Sequence, residues 1–260
     1  MFILALPNGL AAPWVDAITS SSSSSSSSEP LIIDLSADHR FDSKWTYGLP
    51  ELTSRSTIAS ARLIANPGCY ATAAQLAIAP LLDHISPTAK PTAFGVSGYS
   101  GAGTKPSPKN DVENLRDNII AYSLTDHIHE REVSAQLGRE VAFIPHVASW
   151  FQGIHHSISI PLAKQISSRD IRNVFQERYE GEPLVKVVGD VPSVKQISGQ
   201  HGVQIGGFQT SSGRGGERVV VCATIDNLLK GAATQCLQNL NLACGYGEFE
   251  GIPVEGDERR

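Results

Sequence analysis

The sequence has no apolar run approaching the roughly 20 residues a membrane-spanning helix needs, so no such helix is expected. Its 21 Lys and Arg are outnumbered by 26 Asp and Glu, leaving a net charge of −5. That is too little cationic excess for a general nucleic-acid binder, whose lysines and arginines must neutralise phosphates. A small anionic substrate stays open, because it needs only one or two local cations. No CxxC pair occurs among Cys69, Cys222, Cys236 and Cys244, so neither a zinc site nor a disulfide framework is expected. A reducing compartment fits, and a cysteine that matters would act as a thiol. There is no internal repeat, no Walker pattern and no GxGxxG. The stretch Met1 to Pro7 is too short for a signal peptide, has no basic lead-in, and reads as a core strand.

What remains has the balance of a soluble globular enzyme, 41% hydrophobic and 18% charged, with length for one large or two modest domains. Phe2 to Leu6 and Leu31 to Leu35 read as buried strands, with helical spacing from Leu10 to Ile18 between them. Strand, helix, loop, strand suggests a parallel sheet. The serine tract Ser20 to Ser28 is expected to be a disordered surface loop, and Ser36 to Arg55 a long polar loop. Arg62 to Ala65 is a third strand, and Ala71 to Leu82 a buried helix. Strands follow at Thr92 to Val96, His155 to Leu162, Leu184 to Val188, Val203 to Phe208 and Arg218 to Thr224, with a helix near Ser168 to Tyr179. Gly213-Arg214-Gly215-Gly216 signals a hairpin between the last two strands. Strands outnumber helices in this half, which predicts a mixed or antiparallel sheet. A helix from Asn227 to Leu242, capped by Asp226, closes the pattern.

The strongest chemical signal is Asn66-Pro67-Gly68-Cys69-Tyr70-Ala71-Thr72. A strand ends, Pro and Gly force a turn, and a helix begins at the cysteine. A thiol there faces unbonded backbone N–H groups and the positive end of the helix dipole, and both favour the nucleophilic thiolate. The same N–H groups could hold an oxyanion. Alternatively, Cys69 is a small buried hydrophobe, as many cysteines are. Asp126-His127-Ile128-His129-Glu130-Arg131-Glu132 offers acid/base groups; if extended, it points both histidines the same way, and it could equally be a solvated loop. No third ligand lies nearby, so a metal is discounted. Phe143-Ile144-Pro145-His146 and His155-His156 add histidines that singly are more often structural. The run Ser97 to Gly103 could wrap a phosphate through backbone N–H groups, with Lys105 adding charge, or be a plain flexible loop. Arg40, just past a strand end, could grip an anion or pair with Asp38 or Asp42 as scaffolding.

Together these segments resemble N-acetyl-gamma-glutamyl-phosphate reductases. The motifs are Asn66 to Thr72, Ser97 to Gly103, His127 to Glu132, Phe143 to His146 and Asp226-Asn227-Leu228-Leu229-Lys230-Gly231-Ala232, in the family's order. The resemblance runs from Phe2 to about Pro253 and has a fungal flavour, where the reductase is the C-terminal part of a mitochondrial kinase/reductase precursor. It implies an α/β fold: part of a Rossmann-type parallel sheet over 1–91, an α+β catalytic and dimerisation domain with a mixed or antiparallel sheet over 92–225, and a C-terminal helix and tail over 226–260 packing back on the first domain. It implies reduction of an acyl phosphate by NADPH through a thioester on Cys69, in arginine biosynthesis. His129 would be the general acid/base, and Arg40, Lys105 and His127 would meet the substrate. Pro7, Asn8, Gly9, Ser36, Ser97, Gly98, Ser100, Gly101 and Asn227 would line NADP. No nucleic acid or membrane partner is implied. A homo-oligomer is, with a kinase partner or domain, in the mitochondrial matrix if fungal and otherwise in the cytoplasm.

The family's opening strand and its Gly-x-x-Gly turn for the cofactor pyrophosphate precede the first residue here. The 260-residue chain alone is therefore expected to bind NADP weakly and to aggregate or need a partner fragment. The serine tract is a second departure, tolerable because loop-closure cost grows slowly with length. An impaired fragment of the reductase and a non-enzymatic interaction module remain alternatives, and aspartate-semialdehyde dehydrogenase shares the cysteine chemistry.

Overall fold

A computed structural model describes residues 1–22, 29–211 and 217–254. Most of the serine tract and the Gly213-Arg214-Gly215-Gly216 turn lie outside the described residues. In chain order the elements are β1 (Phe2–Leu4), α1 (Ala12–Ser22), β2 (Ile32–Asp34), β3 (Thr46–Tyr47), α2 (Arg55–Ser60), β4 (Leu63–Ala65) and α3 (Cys69–Ile78). There follow β5 (Thr92–Gly98), α4 (Val112–Leu115), β6 (Ile119–Ala121), α5 (Ile128–Leu137), β7 (Ala142–Ala148), β8 (Ile154–Pro161) and α6 (Ser168–Arg178). The last are β9 (Val185–Val187), α7 (Val194–Ile197), β10 (Val203–Thr210), β11 (Arg218–Ile225) and α8 (Thr234–Cys244). Two compact units result: Met1–Gly68 joined by the segment from Ala232, and Cys69–Gly231. These boundaries differ from 91/92 and 225/226, because α3 packs on β8, β11 and α5 and so belongs with the second sheet.

The first unit is a four-stranded parallel sheet of order β1-β2-β4-β3. Successive side chains of a strand point to opposite faces, so β2 feeds two cores. Ile32 packs with Leu4, Ala11, Trp45 and Ala65, against Val15 and Ile18 of α1. Ile33 packs with Leu31, Ile58 of α2, Ile64, and Cys236 and Ala243 of α8. Helices on both faces of a parallel sheet make this a doubly wound α/β unit. α1 runs on through Ser20–Ser22, where a loop was expected. The hydroxyls of Thr19 and Ser21 donate back to Val15 O and Ala17 O (2.9 and 2.8 Å), which lets polar residues continue the last turns. The expected polar loop 36–55 contains β3, whose two residues pair with β4.

The second unit is a seven-stranded mixed sheet of order β6-β7-β5-β8-β11-β10-β9. The expected hairpin is present as the antiparallel pair β10–β11, bent at a bulge where Gly207 takes φ +78°. Cross-strand partners share a face, so Ala93, Phe143, Ile158 and Val221 form one buried row and Gly95, His156 and Ala223 the next. α3, α5 and α6 cover that face. On the other face Phe94 is 41% exposed, and Val96, Ile144, Ser157, Ser159 and Val220 are half-buried. The expected helix Ala71 to Leu82 is α3, starting at Cys69, followed by a 3-10 turn Ala79–His84 that carries Pro80. The expected single helix from Asn227 is a π turn, Leu229–Ala233, followed by α8.

Phe175 of α6 is fully buried, its ring 4.9 Å from that of Phe208, and Tyr179 donates its hydroxyl to Leu76 O at 2.5 Å. Phe175→Ala should cost about 3–5 kcal/mol of folding stability. Tyr179→Phe should cost nearer about 1 kcal/mol. Urea denaturation of the chain measures both, and equal losses would mean that this layer is not packed as described.

Candidate active site

β4 hands over to α3 through Asn66-Pro67-Gly68, and the turn is pinned at Asn66. Asn66 is buried, and its N–H donates to Asp34 O at 2.8 Å. Its carbonyl accepts from Arg40 Nε at 2.9 Å. Its Nδ2 donates to Ala232 O at 3.3 Å, and its Oδ1 accepts from Asn239 Nδ2 at 3.0 Å. Arg40 is buried, and its Nη2 also donates to Leu35 O at 2.8 Å. The guanidinium, expected to grip an anion or to pair with Asp38 or Asp42, thus donates to two backbone carbonyls of the turn. Cys69, half-buried, is the first residue of the ten-residue α3, where the leading N–H groups have no intrahelical acceptor. A Cβ on Gly231 would lie 2.8 Å from Cys69 Cβ and 3.1 Å from Asp226 O. Glycine therefore lets the π turn lie directly against the thiol residue.

Tyr70 centres a ring cluster. Its ring centroid lies 5.8 Å from His129, 6.4 Å from His127, 4.9 Å from Phe143 and 5.4 Å from His156. Its hydroxyl donates to His146 O at 2.5 Å and also meets Tyr122 and Ser97. Burial pushes the Tyr70 hydroxyl well above its ordinary pKa and Tyr122 up to about 12, and the nearby Cys69 acts on both. Both phenols are therefore hydrogen-bond groups and not anions at neutral pH. His127 and His129 lie 4.9 Å apart, but not on the extended segment expected. α5 begins at Ile128, and His127 is its N-cap, Nδ1 accepting from His129 N at 3.1 Å. The proton of neutral His127 thus sits on Nε2. Lys109 Nζ stands 4.5 Å over the Tyr122 ring. Lys105 is exposed, with its carbonyl accepting from Asn110 Nδ2 at 2.9 Å.

The glycine-rich run ends β5 against residues 150–153. Gly98 N donates to Gly153 O (2.9 Å), Tyr99 N to Trp150 O (3.0 Å) and Ser100 N to Phe151 O (3.0 Å). A side chain at Gly98 would collide with Phe151 O. Asn227, buried, accepts from Gly153 N at 2.7 Å and donates to Ser100 Oγ at 2.9 Å. Ser97 Oγ donates to Gly98 O at 2.9 Å, and a Cβ on Gly101 would sit 3.0 Å from it. An open groove of about 970 Å³ borders this turn, lined by Tyr99, Ser100, Phe151 and Leu228 among others. In the first unit, exposed Pro7, Asn8 and Gly9 lie at the carboxyl end of β1. Asn8 Oδ1 accepts from Ala37 N (2.9 Å), and Asp38 accepts from Gly9 N (2.7 Å). Ser36, buried, donates to Asp34 Oδ2 at 2.7 Å.

Sequence reasoning missed Tyr70, Tyr122 and Lys109, whose placement depends on cross-strand and loop contacts, and gave His156 only a structural role. His156 is fully buried, its Nε2 donating to Tyr70 O at 3.1 Å. Burial, with His155 adding to it, pushes His156 down to about 3. Burial first, then the charge of Lys109, pushes His127 down to about 4, with Glu130 opposing. In the unfolded chain both titrate near the ordinary 6.5. The unfolded state therefore binds protons first as pH falls. Stability should fall as pH drops from about 6.5 down through 4, and His127→Asn should make that fall shallower. Urea midpoints against pH measure this, and an NMR titration placing His127 near 6.5 would refute it.

Residues 69–227 match the family described as "Semialdehyde dehydrogenase, dimerisation domain". The chain is 68% identical, over 97% of its length, to "Protein arg-6, mitochondrial" of Neurospora crassa, and spans 28% of that protein. It is 61% identical to "Protein ARG5,6, mitochondrial" of Candida albicans, spanning 29% of it, so it covers under a third of these fungal relatives. Against N-acetyl-gamma-glutamyl-phosphate reductase of Xanthomonas axonopodis pv. citri it is 55% identical over 96% of the chain and 76% of that protein. In fold it is similar to aspartate semialdehyde dehydrogenase II of Vibrio cholerae, with TM-score 0.74 at 16% identity, covering 94% of this chain and 79% of that one. Having a cysteine on a strand-to-helix elbow, a mixed sheet and a matched relative along nearly its whole length, the chain belongs to the N-acetyl-gamma-glutamyl-phosphate reductase family, semialdehyde-dehydrogenase-type oxidoreductases that work with a nicotinamide cofactor.

Proposed function

We propose that this chain carries the reductase chemistry that turns N-acetyl-gamma-glutamyl phosphate into N-acetylglutamate semialdehyde, with NADP as the nicotinamide cofactor. The observation that carries the reading is Cys69 at the start of α3, followed by Tyr70 packed among His127, His129 and His156. The thiol gives its proton to His129, and Sγ attacks the acyl carbon. Electron density moves onto the carbonyl oxygen, where N–H groups of the α3 N-terminus stabilise it. As the carbonyl re-forms, the C–O bond to phosphate breaks, phosphate leaves with the electron pair, and a thioester on Cys69 remains. Bound nicotinamide supplies the hydride. His129 manages the proton on oxygen and then on sulfur as the C–S bond breaks and the aldehyde departs. Neutral His127 keeps Nε2–H as a donor for a substrate oxygen.

The residues present fit a dinucleotide. Gly9 has φ +86° with open space where a Cβ would be, beside a loop at the carboxyl ends of parallel strands. Pro7, Asn8, Gly9 and Ser36 would hold it in the first unit. Ser97, Gly98, Ser100, Gly101 and Asn227 would do so in the second, Asn227 through the amide hydrogen that Ser100 leaves unused. Lys105 would contribute only long-range charge, and Arg40 positions the turn. The fungal relatives named above carry "mitochondrial" in their names, which supports a mitochondrial location here. Their extra length leaves room for the kinase expected from the resemblance.

Phosphate-dependent NADP reduction with N-acetylglutamate semialdehyde should be measurable and should vanish in Cys69→Ser. His129→Asn should slow it on the order of 10²–10⁴-fold. Turnover surviving in Cys69→Ser would sink the thioester route. We further propose that the half-apolar sheet face around Phe94 joins two copies of the chain. Light scattering should then find a dimer that Phe94→Asp converts to monomer, and a wild-type monomer at micromolar concentration would contradict it.

A further inference from the structure

Lys105 is exposed, but Lys109 is half-buried, with its ammonium over Tyr122 and its charge acting on His127. Among the described residues no carboxylate lies within 4.0 Å of Lys109 Nζ and no acceptor takes a hydrogen bond from it. The acid that acts on His127, Glu130, has its carboxylate committed to Phe143 N (2.7 Å) and Asp126 N (3.2 Å). A tyrosine face attracts a cation, but far less than an oxyanion does.

The loop holding Lys109 is also stapled. Asn110 Oδ1 accepts from Ser107 N at 2.8 Å, and its Nδ2 donates to Gly103 O and Lys105 O at 2.8 and 2.9 Å. Asn114 Nδ2 donates to Pro108 O at 2.9 Å, and Asp111 caps α4. Ser107, Pro108 and Asn110 face the open groove, whereas Lys109 turns toward Tyr122. Tyr122 meets Tyr70, and both phenols sense Cys69. An ammonium with no counter-ion among the described residues therefore stands over Tyr122, whose ring lies 5.7 Å from that of His127.

We propose that Lys109 grips an anionic oxygen group of the substrate, phosphoryl or carboxylate, beside Cys69. This deepens the reductase reading and rests on it. The acyl phosphate carries both groups, and the reverse reaction separates them, because inorganic phosphate and the carboxylate-bearing semialdehyde are then distinct substrates. Lys109→Gln should raise the KM of one of them at least about tenfold, the loss of one charge-assisted hydrogen bond, with kcat little changed and Lys109→Arg restoring part of it. A raised phosphate KM identifies the phosphoryl group, and a raised semialdehyde KM the carboxylate. Both KM values unchanged, or a fall in kcat alone, would overturn the proposal.

A second arm needs no turnover. Inorganic phosphate and N-acetylglutamate, titrated separately, should shift the His127 ring signals of the wild-type chain by NMR, and the responding anion should lose that effect in Lys109→Gln. Shifts that persist unchanged in the variant, or none in the wild type, would refute the role of Lys109. A chain without turnover that still shows Lys109-dependent shifts would refute the reductase reading while leaving the anion site standing.

Discussion

Everything chemical here depends on where the backbone stands just before Cys69, and Asn66 fixes it. Its backbone and side chain meet Asp34, Arg40, Ala232 and Asn239, within the parallel-sheet unit. Its amide side chain donates to Ala232 O through Nδ2 while accepting from Asn239 Nδ2 through Oδ1. Aspartate would lose the donor, and leucine would lose both the donor and the acceptor. Arg40 serves the same end through its bonds to Asn66 O and Leu35 O. Ala232 adds a second constraint through the chain itself, since Gly231 before it is the residue whose missing Cβ admits the π turn against Cys69. The wide turn and the nucleophile are thus two aspects of one packing requirement.

Tyr70 extends this order into the second sheet. Its hydroxyl, carbonyl and ring are each held by a different neighbour: His146 O, His156 Nε2 and Phe143. Gly95 makes the space, for a Cβ there would come within 2.7 Å of Tyr70 and 2.8 Å of Phe143. The same dry surroundings keep His127 and His156 neutral by penalising their charged forms. A neutral His127, its tautomer set by the N–H of His129, presents one defined donor. Burial thus sets the protonation as well as the geometry, and a phenol raised as far as that of Tyr122 adds a donor without adding a charge.

The elements legible in the sequence are those whose own pattern decides them. β2 and β4 are apolar runs bounded by turn residues, the elbow announces itself by Pro67 and Gly68, β8 alternates clearly, and β11 is a near-continuous apolar run. What was not legible is decided by something distant. β3 exists because Thr46 and Tyr47 pair with β4. α5 buries only Glu132 and Val133, so its helical period is faint. The π turn answers to Cys69, far away in sequence. Spacing pointed to Lys105 and Arg40 because both follow suggestive motifs. Which cation reaches the ring cluster depends on how Asn110 folds its loop, and no period or composition encodes that.

Asp226 and Asn227 show how a short motif can organise several segments at once. Asp226 is fully buried, and its carboxylate accepts from Gln152 Nε2 (2.8 Å), Gly199 N (2.7 Å), Leu228 N (2.9 Å) and Leu229 N (3.1 Å). A buried carboxylate is tolerable only when so satisfied, and here each donor comes from a segment that must stay in place. The next residue, Asn227, then has its amide orientation forced, Oδ1 toward Gly153 N and Nδ2 toward Ser100 Oγ. One amide hydrogen is used internally and one is left over. The cap that starts the closing π turn is therefore also the clamp that holds a donor beside the glycine-rich loop. Exchanging Asp226 for a neutral residue would loosen both together, because the same carboxylate carries both tasks.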